Sequence, residues 1–193
     1  PGSLREALSD VAEGGTITFD PSLANGTIFL ITGPLVPPRN VTVDSADAPG
    51  LALDGGGVDR ILIIDPGVTA TFANITMQNG YGFQLAGGVL NNGDLTLDHV
   101  VIANNLMTTP AGDFWQGGAG IYNGDGATLN LTDSTVSNNA TVGQPGGGVY
   151  GFFNSTIAVT RSTISGNRAN YTGGGIHNQG PLTITNGTVI SDR

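Results

Sequence analysis

The sequence contains no cysteine, and charged residues make up only 11% of it. Without thiols there can be neither a disulfide framework nor a thiolate site, so stability must come from packing and backbone hydrogen bonds. Basic side chains are scarce, six against fifteen acidic ones, and the formal net charge is −9. This balance argues against nucleic acid as a partner, because binding phosphates requires clustered Lys and Arg.

Long apolar runs are also missing. No segment approaches the roughly 18–20 consecutive apolar residues of a membrane span. No stretch after residue 15 keeps an apolar period of 3.6, which argues against further helices. The chain is instead rich in glycine, 32 of 193 residues, and in Asn and Thr with regular apolar doublets. That composition favours one domain of many short strands joined by tight turns.

The first residues predict one short helix. Ser3 and Glu6 have the spacing of a capping box, and Gly14-Gly15 end the segment. The residues expected on its apolar face are Leu4, Ala7, Leu8 and Val11. A helix this short is marginal alone, so we expect it to lie on the open end of a β-solenoid. We therefore divide the chain into a capping helix, residues 1–15, and one repeat domain, residues 16–193.

From about residue 51 the sequence repeats a unit of three short strands separated by Gly or Asn turns. Four clear copies begin near Gly87, Gly120, Gly148 and Gly175, and a weaker copy precedes them. One unit per turn would place equivalent strands about 4.8 Å apart, directly above one another. The predicted fold is all-β: a right-handed parallel β-helix, a three-strand solenoid with a short N-terminal capping α-helix.

This stacking predicts three interior columns of apolar side chains. The first column is Val89, Ile121, Val149 and Ile176. The second is Leu97, Leu131, Val159 and Ile184. The third is Met77, Ile102, Val136, Ile164 and Val189. We expect Asn105, Asn139 and Asn167 to stack at one corner, where Asn tolerates a positive φ and side-chain amides can bond along the column.

Two groups of motifs resemble known families. The opening Ser3-Leu4-Arg5-Glu6-Ala7-Leu8 resembles the start of the CSLREA-type domain at the head of bacterial surface β-helices, without that family's leading Cys. The Gly-Gly-Gly-Ile/Val-Tyr/His units and Ser162 to Asn167 resemble pectin-lyase-like and polymorphic outer-membrane-protein-like repeats. The resemblance implies an exported protein, secreted or at the cell surface, and it specifies a fold more than an activity.

Two polar groups are candidates for catalytic or metal sites. Aligned third strands bring His99, Asp133 and Arg161 to the same turn, with Asn74 and Asn186 in the same column, but an exposed ladder of opposite charges is the favoured interpretation. A second, acidic group consists of Asp44, Asp47, Asp54 and Asp59 beside Arg60. An adventitious or Ca²⁺-binding turn is favoured there over a lyase site. We assign no catalytic residue, metal ligand or cofactor.

A strip of aromatic residues is the candidate binding site. The loops after the Asn corners carry Tyr81, Phe83, Phe114, Trp115 and Tyr171. An outward column beyond them holds Leu90, Tyr122, Tyr150 and His177. On a solenoid these side chains would share one edge, a platform for sugar rings or a protein partner. The alternative is that the loops fold back and bury their rings.

The sequence thus favours an extracellular or cell-surface structural or adhesive module without catalytic activity. Its C-terminal coil has no capping sequence after Val189-Ile190, which predicts self-association end to end, even into filaments. A glycan or surface partner is expected at the aromatic edge. The alternative function is a carbohydrate-active β-helix protein, either polysaccharide lyase-like or glycan-binding.

Overall fold

The structure is a computed structural model that describes residues 2–109 and 117–193, and it begins with the predicted helix. Helix α1 spans Leu4–Asp10, and the Ser3 side chain accepts a hydrogen bond from the Glu6 amide. Glu6 reaches back one residue further than a capping box requires, because its Oε2 accepts from the Gly2 amide at 2.9 Å. Leu4 and Leu8 are buried against the end of the solenoid, as expected.

The remaining chain is a parallel β-solenoid of about six turns. The first sheet contains β1 (Gly15–Ile17), β3 (Val41–Asp44), β6 (Thr69–Ala73), β10 (Asp94–Asp98), β14 (Thr128–Thr132), β18 (Thr156–Thr160) and β21 (Leu182–Thr185). The second contains β2 (Thr27–Phe29), β4 (Ala52–Asp54), β7 (Thr76–Gln78), β11 (Val101–Ala103), β15 (Thr135–Ser137), β19 (Thr163–Ser165) and β22 (Thr188–Ile190). The third contains β5 (Leu62–Ile64), β9 (Val89–Asn91), β13 (Ile121–Asn123), β17 (Val149–Gly151) and β20 (Ile176–Asn178). A 3₁₀ helix spans Pro21–Leu23.

The predicted interior columns are confirmed by the strand register. Val89 pairs with Ile121, Ile121 with Val149 and Val149 with Ile176 in the third sheet. The other two columns align in the same way in the first and second sheets. Most of these side chains are fully buried in one continuous apolar core, so each coil contributes equivalent side chains to it.

The predicted Asn column is also confirmed. The Nδ2 of Asn105 donates to Asn139 Oδ1 at 2.9 Å, and Asn139 Nδ2 donates to Asn167 Oδ1 at 2.9 Å. Each Asn backbone N–H donates to the next Oδ1 as well. The column continues beyond the three asparagines, because Asn167 Nδ2 donates to Asp192 Oδ1 at 3.0 Å. These amides satisfy polar groups inside the solenoid that water cannot reach.

The expected positive φ lies one residue earlier than these asparagines. The left-handed residues are Asn104 (φ 58), Asn138 (φ 55) and Gly166 (φ 66), each directly before a buried Asn. A single left-handed residue turns the chain at the corner, and the following Asn is thereby free to point inward. The turn and the polar column thus need two adjacent residues, whereas the repeat pattern predicted that one residue serves both.

Two features of the solenoid differ from the sequence pattern. Stacking starts well before residue 51, since β1 pairs with β3 and β2 with β4. Three coils also carry a fourth strand, β8 (Tyr81–Phe83), β12 (Leu106–Thr108) and β16 (Ala140–Val142), in segments that the pattern treated as loops. The domain assigned to residues 16–193 includes these first coils, but the repeat pattern did not identify them because their turns lack the Gly and Asn spacing of the later repeats.

Replacing Asn139 by Ala should destabilise the protein by about 2–4 kcal/mol, because it removes partners of Asn105, of the Ile102 carbonyl and of Asn167 inside the core. Urea unfolding of the whole chain measures the loss. The matched control is Asn104→Gly, which keeps the left-handed turn and should change stability by about 0.5 kcal/mol or less. An equal loss of unfolding free energy in the two variants would show that the hydrogen bonds of the Asn column do not add to stability.

Candidate binding surface

The strands β8, β12 and β16 form a fourth sheet, whose outer face carries Tyr81 and Phe83 of the predicted aromatic edge. Each strand alternates, so Gly82, Met107 and Thr141 are buried. We call the outward residues the apolar ledge: Tyr81, Phe83, Leu106, Thr108, Ala140 and Val142. Phe83 is 54% exposed and Val142 is 50% exposed. The ledge therefore offers carbon surface to solvent where most outward positions of the solenoid are polar.

The backbone register fixes the order of side chains along the ledge. Tyr81, Leu106 and Ala140 form one row, and Phe83, Thr108 and Val142 form the other. Neighbouring residues within a row lie about 4.8 Å apart. The hydroxyls of Tyr81 and Thr108 are hydrogen-bonded at 2.7 Å, which ties the two rows together. Both rows combine apolar groups with hydroxyls, the combination that suits the faces and rims of sugar rings.

Arg60 holds the segment that follows Phe83 in place. Its Nε donates to the Leu85 carbonyl at 2.7 Å, and its Nη2 donates to the Phe83 carbonyl at 3.1 Å. Burial lowers the pKa of Arg60 and the nearby Asp59 raises it, yet a guanidinium stays charged at any physiological pH. The segment turns sharply, with positive φ at Gln84 and Ala86. Sequence patterns gave no signal for this contact, because Arg60 lies one coil away.

The outward column of the third sheet is an aromatic stack. The rings of Tyr122 and Tyr150 are parallel with centroids 5.4 Å apart, and Tyr150 stacks on His177 at 5.2 Å. Phe152 packs beside both tyrosines. The register predicted for this column is confirmed.

This stack is covered and does not lie on the surface, contrary to the expectation of one exposed aromatic edge. Tyr150 is 0% exposed and Tyr122 is 8% exposed. They form a second small apolar cluster with Ala86, packed against Leu85, Leu90 and Phe152. The segments between strands fold back over the column and bury it. Tyr122 and Tyr150 therefore belong to a packed cluster and are not exposed at the surface.

The other residues of the predicted aromatic edge differ in how far they are exposed to solvent. Tyr171 is 60% exposed, whereas Tyr81 is half-buried at the ledge. His177 is half-buried, its Nδ1 lies 3.0 Å from the Thr172 hydroxyl, and burial lowers its pKa. Phe114 and Trp115 lie outside the described residues. Leu106, Thr108, Ala140 and Val142 were missed as surface residues, although their alternation with buried neighbours was a usable signal.

The predicted column of charged turn residues is present at the corner between the first and second sheets. Its members are left-handed in the five coils that begin with β6, β10, β14, β18 and β21: Asn74, His99, Asp133, Arg161 and Asn186. Arg161 donates from Nε to Asp133 Oδ1 at 2.8 Å and from Nη2 to Oδ2 at 2.5 Å. The hydrogen bond from Arg161 lowers the pKa of Asp133. His99 Nδ1 lies 2.8 Å from Asp98 Oδ1.

The acidic group around Asp54 does not converge. Asp54 accepts hydrogen bonds from the Gly56 amide, Gln78 Nε2 and Asn79 Nδ2. Burial raises the pKa of Asp54, but these three donors outweigh it and the net pKa is lowered. Asp44 accepts from Asn74 in a different corner. Within residues 2–109 and 117–193, the one group of three His or carboxylate donors within 4.8 Å of one another is Asp98, His99 and Asp133.

No family model, curated protein or solved structure matches the chain. The fold itself therefore defines the class: this is a parallel β-helix repeat protein. The resemblance to CSLREA-type and pectin-lyase-like proteins stays a prediction from the motifs. In the part of the chain that the structure covers, no helix is long and apolar enough to cross a bilayer.

Replacing Arg60 by Met should loosen the ledge, because the Phe83 and Leu85 carbonyls lose a charged donor. We expect hydrogen exchange of the Gln84 amide, which donates to Thr108, to accelerate about tenfold or more. Arg39→Met is the control, since Arg39 donates to the Val11 carbonyl at the helix end. An unchanged exchange rate of the Gln84 amide in the Arg60 variant would show that the hydrogen bonds from Arg60 do not hold this segment in place.

Tyr150 should ionise at unusually high pH. Burial, and to a lesser degree Tyr122, raises its pKa to about 12. Because the folded pKa exceeds the unfolded value of about 10, its contribution to stability is complete below pH 10 and is lost as pH rises through about 12. Phenolate absorbance of Tyr150→Phe should lack the highest-pH step of the native titration. A variant that keeps this step would show that another tyrosine is responsible.

Proposed function

We propose that this chain is an extracellular or cell-surface structural or adhesive β-helix module without catalytic activity, and that the apolar ledge is its contact surface. The observation that supports this proposal is the contrast between a uniform interior and a varied exterior. Along the three predicted interior columns, equivalent positions hold Val, Ile, Leu or Met from coil to coil. The outward rows of the ledge change from coil to coil, from Tyr81 to Leu106 to Ala140.

A rigid rod suits a structural or adhesive role. Parallel ladders connect each coil to the next along three faces, and the Asn column adds side-chain hydrogen bonds. Such a scaffold holds surface residues at fixed spacing, so a ledge presented on it loses little conformational freedom when a ligand binds. The secreted or cell-surface location is part of this proposal and rests on the resemblance of Ser3 to Leu8 to the head of exported β-helices.

Glycan binding is the second candidate function, and the composition of the ledge favours it. Tyr81 and Phe83 offer ring faces, while the Tyr81 and Thr108 hydroxyls offer polar contacts beside them. Aromatic side chains with a polar group at their edge suit ligands that are apolar on one face and wet at the rim. A carbohydrate-active enzyme would in addition convert its ligand. Incubation with acidic polysaccharides and Ca²⁺, followed by absorbance of unsaturated products, separates binding from lyase activity.

Self-association end to end is the remaining part of the proposal. In the last described coil, Ile184, Val189 and Ile190 are 43–49% exposed, and β22 is the outermost strand of the second sheet among the described residues. At the other end of the same sheet, β2 is the outermost strand and lies beside a concavity of about 390 Å³ formed with α1. Because both edges belong to one parallel sheet, β22 of one copy and β2 of the next could extend it.

The contact surface is tested by binding of the full chain to immobilised glycans and bacterial cell-wall polysaccharides. Phe83→Ser and Val142→Ser should each weaken binding about tenfold, because they remove exposed apolar contacts of the ledge. Phe153→Ser is the matched control: Phe153 is 55% exposed but packs beside Phe152, away from the ledge strands. Equal loss in all three variants, or no binding to any surface, would reject the ledge as the contact surface.

Self-association is tested by the mass of the protein in solution over a range of concentrations. We expect mass to rise with concentration, and Val189→Asp to abolish the rise because a charge then replaces an exposed apolar side chain at the sheet edge. Val101→Asp is the control, an exposed apolar residue on β11, a strand in the middle of the same sheet. A strict monomer at high concentration would reject this part of the proposal.

A further inference from the structure

The corner between the first and second sheets brings together one imidazole and two carboxylates. Asp98 is the last residue of β10, His99 follows it, and Asp133 occupies the position of His99 in the next coil. Their donor atoms all lie within 4.8 Å of one another, and His99 Nδ1 lies 2.8 Å from Asp98 Oδ1. From this arrangement we infer that His99, with Asp98 and Asp133, forms a surface binding site for a divalent transition metal ion such as Zn²⁺.

The donor set decides which ions the site can take. An imidazole nitrogen with carboxylate oxygens is a set that Zn²⁺, Co²⁺ and Ni²⁺ accept, with the remaining positions filled by water. Calcium takes six to eight oxygen ligands and gains nothing from the imidazole. Asp98 can serve either as a ligand or as the partner that orients the ring, an arrangement common around metal-bound histidine. The imidazole is therefore the residue on which selectivity depends.

Backbone stacking holds the donors in position before any ion binds. The His99 amide donates to the Thr132 carbonyl at 3.0 Å, and the Asp133 amide donates to the Thr160 carbonyl at 3.1 Å. Asp98 pairs with Thr132 in register. The two coils cannot slide relative to one another without breaking these ladders. Only side-chain rotation is needed to draw the three donors onto one ion, which limits the entropic cost of binding.

The positive charge of Arg161 should weaken metal binding, and this effect makes the inference testable. Its guanidinium donates to both oxygens of Asp133, so a bound cation would share that carboxylate with a positive charge. Two carboxylates and one guanidinium leave the group with one net negative charge when His99 is neutral. Removing the charge of Arg161 should therefore strengthen metal binding, whereas a purely structural ion pair would show no such effect.

The chain provides its own control, because it contains only two histidines. His177 stacks on Tyr150 and lies beside the Thr172 hydroxyl, away from any carboxylate cluster among the described residues. An ion that binds histidine without regard to its surroundings would perturb both rings. An ion held by the corner site would perturb the ring of His99 alone.

The experiment is a titration of the full chain with Zn²⁺ at neutral pH, followed by calorimetry and by the two histidine ring signals in NMR. We expect one saturable site that shifts only the His99 signal. His99→Asn should weaken binding at least tenfold and Asp133→Asn about tenfold, while His177→Asn should leave binding unchanged. Arg161→Gln should tighten binding several-fold. Arg161 is exposed, so we expect its substitution to leave the fold intact, and circular dichroism of each variant checks this.

Three results would overturn the inference. The first is the absence of saturable binding in both the native chain and Arg161→Gln. The second is equal perturbation of both histidine signals, the mark of adventitious binding. The third is an affinity that does not change in His99→Asn.

Discussion

The structure depends on parallel strands of successive coils pairing in register. In a parallel pair the hydrogen bonds run evenly along the strands, and each residue has an equivalent partner above and below. Val149 therefore lies between Ile121 and Ile176, and Leu131 lies between Leu97 and Val159. If one coil slipped by a single residue, its inward side chains would point outward and the core would lose a whole layer.

The same register places polar groups inside the protein at little cost. A lone buried amide is expensive, but an amide that repeats in every coil finds its partner one layer away. Asn105, Asn139 and Asn167 satisfy one another in this way, and the Ser134 and Ser162 hydroxyls accept from the backbone amides of the preceding coil. The interior thus tolerates side chains that would destabilise an ordinary core, provided that neighbouring coils carry them too.

Outside the core, the same strand register aligns outward side chains in columns, but the residue types in a column can differ from coil to coil. The apolar ledge, the covered aromatic stack and the charged corner are all columns, yet they differ in exposure and charge because their side chains differ. The corner of Asp98, His99 and Asp133 exists because two coils place different donors at equivalent turns. A solenoid can therefore assemble a local site from residues more than thirty positions apart in sequence without changing its backbone.

The sequence by itself determined the capping helix, the parallel solenoid, the three interior columns and the stacked asparagines, because each follows from periodic side chains that must face one core. It also placed His99, Asp133 and Arg161 in one column, since the turns repeat with the strands. Only the tertiary structure decided which outward residues are exposed. Tyr122 and Tyr150 are buried because segments between strands fold over them, and Phe83 stays exposed on a fourth strand held by Arg60. Whether a segment between strands buries an outward side chain depends on contacts between residues distant in sequence. The periodicity of the sequence carries no information about such contacts.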